Sequence, residues 1–489
     1  MERYKMFIGG QWCDSSDGRT REQINPSNGE SLGFTAEGTV DDVNRAVDAA
    51  AEAFKTWRLT STAERAELLR KAADLVDQRA EEIARLESGC TGQLLSNCRG
   101  DAGTVSTIFR FYAGLVDLPS GLSYNQSPQI TTFTLREPIG VVGVITPWNA
   151  PIDIASKAIA PALVAGNTVV LKPSSIAALG IYAVVKCMED AGFPKGVINL
   201  VLGDGSLLGN ALGESNKVGK IAFTGGTETG RSLVRASASN IKKLSMELGG
   251  KSPIIVFEDA DLDAAIDNAM TMLYTMAGEL CVAGSRLIVQ ESVYDTFVER
   301  LTERVSKIRV GQTDDPDTEM GPVISKSQMD RTLYYIELGK QEGARLTTGG
   351  YALTEGDFAK GYFIAPTVFA DVTNNMRIAQ EEIFGPVIVV EKFTTEEEAF
   401  TIANDSIYGL GAGCFTKDVA RSLHFAKEVK AACMWVNTYG PSASIACPVC
   451  CTKQSGYSTL MGVQCIESYM DMKEVSFCDT PFPFGAFKE

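Results

Sequence analysis

The sequence predicts an α/β protein built on a parallel sheet covered on both faces, with a second α/β unit after it and a small β arm. Three observations predict this. Between residues 141 and 223, short apolar runs alternate with segments of helical periodicity. Apolar strands separated by helices are the pattern of a buried parallel sheet. A second series of the same kind begins after Gly250. Two segments, 127–136 and 473–478, fit neither series and alternate as edge strands do.

In chain order, residues 6–12 read as strand around a Gly9-Gly10 turn. Residues 40–57 and 63–88 carry apolar side chains at helical spacing. The first series is then strand 141–145, helix 152–165, strand 168–171, helix 178–191, strand 197–202, a short helix at 207–212 and strand 220–223. The natural ligand site of such a sheet is the crevice at the carboxyl ends of its strands. The second series has strands at 253–257 and 286–289, a helix at 293–305, and strands at 386–390 and 433–436. The segments 127–136 and 473–478 are expected to be arms that pair with another subunit, because an exposed edge strand is normally covered or paired.

Composition bounds the function. A chain of 489 residues predicts about three domains. A net charge of −16 argues against nonspecific binding to nucleic acid or to anionic membranes. No signal peptide and no membrane-spanning run is read from the sequence. The twelve scattered cysteines are expected to be reduced thiols in the cytoplasm. Cys447, Cys450 and Cys451 form the tightest cluster, but no second pair completes a zinc set, so no metal is expected.

The chain has a single histidine, His424, so any histidine-based catalysis would run through that residue. A general base is therefore expected to be a carboxylate or a lysine. Cys281 lies 34 residues after Glu247, and each sits in a distinctive string. These are Met246-Glu247-Leu248-Gly249-Gly250-Lys251-Ser252-Pro253 and Gly278-Glu279-Leu280-Cys281-Val282-Ala283-Gly284-Ser285-Arg286. A thiol beside a carboxylate suits covalent catalysis, in which sulfur attacks and the carboxylate activates the water that releases the product.

Further strings follow in order: Thr146-Pro147-Trp148-Asn149-Ala150-Pro151, Pro161-Ala162-Leu163-Val164-Ala165-Gly166-Asn167, Leu171-Lys172-Pro173-Ser174, Phe223-Thr224-Gly225-Gly226-Thr227-Glu228-Thr229-Gly230, and Glu381-Glu382-Ile383-Phe384-Gly385-Pro386-Val387. With the two above, this set resembles the hydrolytic, NAD(P)-dependent branch of the aldehyde dehydrogenase superfamily over nearly the whole chain. The resemblance implies a Rossmann-like cofactor domain (1–122 and 140–247), a catalytic domain (248–462) and an oligomerisation arm (123–139 and 463–489). It implies Cys281 as nucleophile, Asn149 as oxyanion donor and Glu247 as the base that hydrolyses the thioester. For the cofactor it implies Trp148, Lys172, Ser175, Gly225, Gly226, Leu248, Glu382 and Phe384, with Lys172 at the adenosine ribose and Glu382 at the nicotinamide ribose. It also implies a homodimer or homotetramer.

Four departures from the family pattern shape further expectations. Ser175 stands where a ribose-binding Glu is common, and a hydroxyl does not repel a 2′-phosphate, so NADP is expected to be tolerated beside NAD. Ala158 stands at a frequent Lys position, with Lys157 one residue earlier. In members with a Trp-Lys pair the earlier position lines the aldehyde tunnel, and benzaldehyde-, vanillin- and salicylaldehyde-type members resemble this chain in carrying a basic residue there. Lys157 and Val282 are therefore expected at the substrate, which is expected to be an aromatic or apolar aldehyde. An anionic semialdehyde is the alternative. Gly226 replaces a Ser near the pyrophosphate. Cys450 and Cys451 replace two glycines in 448–456, where positive φ would be strained. The string 483–488 resembles the missing glycine motif and is read as coincidence. A catalytically silent member of the fold is the rival reading, against which the intact Cys281, Glu247 and Asn149 argue.

Overall fold

The computed structural model describes residues 2–117, 120–125, 128–440 and 444–480. The expected string at 483–488 and residue 127 of the expected arm lie outside them.

An eight-stranded sheet forms the first half. Its centre is five parallel strands in the order Lys243–Glu247, Val218–Thr224, Val141–Ile145, Thr168–Lys172 and Ile198–Leu200. Their side chains are almost all buried on both faces, as their continuous Val/Ile/Leu runs require. Strand order reverses beside Val141–Ile145, because Thr168–Lys172 pairs on one side and Val218–Thr224 on the other. That reversal opens a crevice at the carboxyl edge. Register sets what lines it: Ile145 is level with Lys172, and Thr224 with Glu247. The hairpin expected at 6–12 is present as Met6–Ile8 and Gln11–Cys13, and extends the far edge. Helix Val40–Trp57 matches its expected bounds and opens with a capping box at Thr39 and Asp42.

The second sheet has seven strands in the order Arg345–Thr348, Thr367–Val372, Val387–Phe393, Arg286–Gln290, Pro253–Val256, Gly411–Phe415 and Cys433–Val436. All neighbours are parallel except the first pair. A separate core covers it, distinct from that of the first sheet. The third expected unit is a sheet of Ser123–Tyr124, Ile130–Pro138 and Met470–Cys478.

Three expectations need correction. The helix read over 63–88 is two helices, Thr62–Gln78 and Ala80–Thr91, joined at Arg79, whose ψ of 16° leaves the helical range. A boundary at 462/463 would cut helix Gly462–Glu467, whose Cys465 and Ile466 are buried in the first core. Gly456–Tyr457 also pairs with Lys243–Glu247, covering what would be an open edge of the first sheet. Residues 456–469 therefore pack with the first sheet rather than the second. Finally, neither Cys450 nor Cys451 has positive φ; the left-handed residues of this loop are Lys453, Gly456, Met461 and Gly462. The strain expected of the two cysteines is absent.

Candidate active site

The chain passes from the end of Lys243–Glu247 through Gly249 and Gly250 into Pro253–Val256. The carboxyl edge of the first sheet therefore faces the amino edge of the second. The Cys281 loop precedes strand Arg286–Gln290, and the Glu382 to Phe384 turn precedes Val387–Phe393, so both arrive at that same edge. Two glycines permit the approach. A Cβ on Gly278, at φ +75°, would fall inside the backbone of Gly385. A Cβ on Gly250 would lie 2.5 Å from the Cys281 carbonyl oxygen.

Cys281 sits in a turn and is partly buried. Burial, reinforced by the carboxylates of Glu247 and Glu382, pushes its thiol up to about 12, against the opposing pull of Lys157 and a bond from the Val282 N–H. At neutral pH the resting group is thus a thiol, and it must lose its proton on the way to attack. Asn149 follows strand Val141–Ile145 and is 4% exposed. Its Nδ2 donates to the carbonyl of Glu279, two residues before Cys281, at 2.9 Å. Gln93 Nε2 holds the Asn149 carbonyl. Glu247 is 8% exposed, and burial raises its carboxyl above the usual range. Both of its oxygens are bonded: Cys451 Sγ donates to Oε2 at 2.8 Å, and Ser458 Oγ donates to Oε1. The three expected chemical residues thus converge from three separate elements.

The expected cofactor residues line the adjoining crevice. Lys172 ends its strand, and burial lowers its ammonium to about 8, with Asp204 and Glu37 opposing. Ser175 is in the following turn, partly exposed, and its carbonyl accepts from Gln23 Nε2 at 2.9 Å. Gly225 and Gly226 lead into helix Thr227–Ala236; a Cβ on Gly226 would meet nothing within 4 Å. Leu248 packs over Gly230 of that helix. Glu382 Oε1 accepts from the Gly250 N–H at 2.9 Å. Phe384 is held at φ +62°, and its ring meets Trp148 edge-on with centroids 5.2 Å apart. A non-glycine residue in that region is strained and persists where surrounding structure fixes it.

Lys157 is not a surface side chain, but neither is it a free cation. Its Nζ pairs with Asp153 Oδ2 at 2.6 Å, one turn earlier on helix Pro151–Val164. The charge interacts with Cys281 and Glu247. The Val282 carbonyl accepts from the Tyr439 hydroxyl at 2.8 Å. His424 is exposed beside Glu396, on helix Val419–Glu428, and takes no part in this cluster. Among the described residues, no group of three or more His, Cys, Asp or Glu side chains could hold a metal. All twelve cysteines are free.

Sequence reasoning missed Cys451 and Ser458 as partners of Glu247, and Asp153 as partner of Lys157. Asp153 was legible in principle, since it lies four residues before Lys157 on a helix.

Comparisons with known proteins give the family. A family profile described as the aldehyde dehydrogenase family matches residues 12–475. A betaine aldehyde dehydrogenase of Bacillus subtilis (strain 168) is 42% identical over 473 residues, spanning 96% of each chain. A crystal structure of betaine aldehyde dehydrogenase from Staphylococcus aureus, in complex with NAD+, superposes with a TM-score of 0.97 at 39% identity, covering 99% of this chain and 97% of that one. A point mutant of that enzyme, with NAD+ and a BME-modified cysteine, gives the same score and identity over 99% of both chains. Family profile, sequence and three-dimensional likeness over nearly the full length agree: the chain belongs to the aldehyde dehydrogenase family.

Proposed function

We propose that the chain oxidises an aldehyde to a free carboxylic acid through a thioester on Cys281. The observation that carries this reading is the convergence of Cys281, Glu247 and Asn149 where the two sheets meet. The Cys281 sulfur adds to the carbonyl carbon and gives its proton to Glu247, which passes it to solvent before the thioester is hydrolysed. The Asn149 amide and the Cys281 backbone N–H donate to the carbonyl oxygen as it gains charge. Glu247 takes a proton from the water that attacks the thioester and frees the acid.

A nicotinamide dinucleotide, when bound, accepts the hydride. The residues fit it. Among the described residues Lys172 makes no ion pair, although it is buried at the strand's carboxyl end. Open space lies over Gly226 at the start of a ten-residue helix, where backbone N–H groups favour phosphate. Glu382 and Phe384 close the opposite side. The NAD+ complexes of the relatives support NAD for this chain, and Ser175 adds tolerance of NADP. Ser175→Glu is expected to lower the NADP/NAD ratio of kcat/KM by about tenfold or more, because a carboxylate close to a 2′-phosphate costs a few kcal/mol. An unchanged ratio would place Ser175 away from the ribose.

The substrate expectation changes. An aromatic aldehyde is expected from the likeness to benzaldehyde-type members at Lys157, and a semialdehyde from pairing of its carboxylate with the charge of Lys157. Its 2.6 Å pair with Asp153 neutralises that charge, and the relatives are betaine aldehyde dehydrogenases. We infer a small cationic aldehyde of the betaine aldehyde kind. Steady-state kcat/KM for betaine aldehyde, benzaldehyde and succinic semialdehyde tests this. The cationic aldehyde is expected to lead by about tenfold, the scale of a single charge contact. A lead for either of the others would overturn it.

The arm exposes Leu122, Tyr124, Leu135, Met472 and Phe477. Apolar side chains exposed on both faces of an open three-stranded sheet support a second copy as its partner, in a homodimer or homotetramer. The scattered spacing of the twelve cysteines supports a reducing compartment such as the cytoplasm. No helix of the described residues is long and apolar enough to cross a membrane.

A further inference from the structure

We propose that Cys451 and Ser458 are positioning residues for thioester hydrolysis, a two-point clamp that holds one oxygen each of the Glu247 carboxylate. The proposal rests on the reading of Glu247 as the hydrolytic base.

The geometry is specific. Cys451 Sγ is 2.8 Å from Oε2, and Ser458 Oγ donates to Oε1. The donors flank the pairing of Gly456 with Glu247 itself, Cys451 five residues before it and Ser458 two residues after. That pairing fixes the segment against the backbone of the base: the Leu248 N–H donates to the Ser455 carbonyl at 2.8 Å, and Ser455 Oγ donates to the Gly249 carbonyl at 2.8 Å. Cys451 and Ser458 therefore hang from a scaffold bonded to Leu248 and Gly249, the two residues that follow Glu247. A carboxylate with one donor on each oxygen cannot rotate without breaking both bonds.

The clamp has an electrostatic consequence. Hydrogen bonds to a carboxylate favour its charged form. Burial raises the Glu247 carboxyl, whereas Cys451, Ser458 and Lys157 each draw it back down. The other titratable groups around it are Cys281, Cys433 on strand Cys433–Val436, and Cys465 on helix Gly462–Glu467. Burial raises all three thiols, so they stand protonated and uncharged at neutral pH. The two donors thus oppose burial and favour the charged form of the base. Cys451 itself is held well above the ordinary thiol range by burial and by the Glu247 charge, which suits a donor and not a nucleophile.

The test is the pH profile of turnover with saturating aldehyde and cofactor. A base works when deprotonated, so losing a donor raises its pKa and moves the acid limb to higher pH. Cys451→Ala and Ser458→Ala are each expected to move that limb up by about one unit. Cys451→Ser keeps a donor and is expected to return the limb towards its original position. A side chain that merely fills the loop would lower turnover at every pH without moving the limb. An unmoved limb in both alanine variants overturns the clamp. Glu247→Gln separates this from failure of the underlying reading: a burst of reduced cofactor followed by very slow turnover leaves Glu247 as the base, whereas full turnover removes it, whatever the clamp does.

Discussion

Cys281→Ala is expected to abolish aldehyde oxidation while leaving cofactor affinity within a few fold. In the proposed reaction the sulfur supplies the covalent bond, and the residues proposed for the cofactor are others: Lys172, Gly225, Gly226, Glu382 and Phe384. Rescue by a neighbouring thiol is the main physical alternative. Cys451 is one candidate, because it bonds Glu247 and interacts electrostatically with Cys281. Its proton is committed to Glu247, and burial holds it as a thiol, so it is a poor substitute. Cys433 is likewise raised, to about 11. Turnover in the variant is therefore expected below about one per cent of the parent, the scale of losing a nucleophile. It is measured as reduced cofactor formed with time, with cofactor affinity measured by titration in parallel. Turnover well above that level would sink Cys281 as nucleophile. Lost cofactor binding would instead point to a collapsed turn around Gly278.

Much of this site was legible because its residues sit in strings tied to backbone geometry. Gly249-Gly250 and Gly278 are where two sheet edges approach too closely for a side chain, so the sequence around Glu247 and Cys281 carries the approach itself. Strands Val141–Ile145, Thr168–Lys172 and Cys433–Val436 were legible as short apolar runs. Helix Leu95–Ala113 was not. It contains Gly100, Gly103, Thr104, Ser106 and Thr107, all weak helix formers, and is held by packing of Val105, Ile108, Phe109 and Tyr112 into the first core. Tertiary contact there overrides local preference. The Cys451 bond to Glu247 spans 204 residues. Cys451 was noticed as part of the tightest cysteine cluster and as a departure from glycine, and strain was the wrong consequence to draw from the second. Chirality of the backbone at 451 turned out ordinary, and the added side chain found a use that only the fold reveals.

The second large effect is on stability. Arg286 and Glu391 form a pair that is fully buried in the second sheet, with Nε 2.5 Å from Oε1 and side chains 0% and 2% exposed. They lie on adjacent strands, two residues apart in register. Arg286 Nη2 also donates to Asn374 Oδ1 at 2.6 Å and to the Ile402 carbonyl at 3.0 Å. A second cation, Lys251, is buried nearby, and burial together with Arg286 lowers its ammonium to about 7. Glu391 is thus the anion that compensates this buried positive charge, and Glu391→Ala removes it. Breaking a buried pair from one side costs about 3–5 kcal/mol, because the remaining charge stays desolvated. Lys251 can shed its proton, but a guanidinium cannot. The variant is expected to lose stability on that scale in urea unfolding, with the loss confined to the transition of the second sheet where the two halves melt separately. Arg286→Met with Glu391→Leu is expected to recover most of it, since an apolar pair of similar volume leaves no charge to solvate. Equal losses in the single and double variants would mean that packing, not charge, sets the value of the pair.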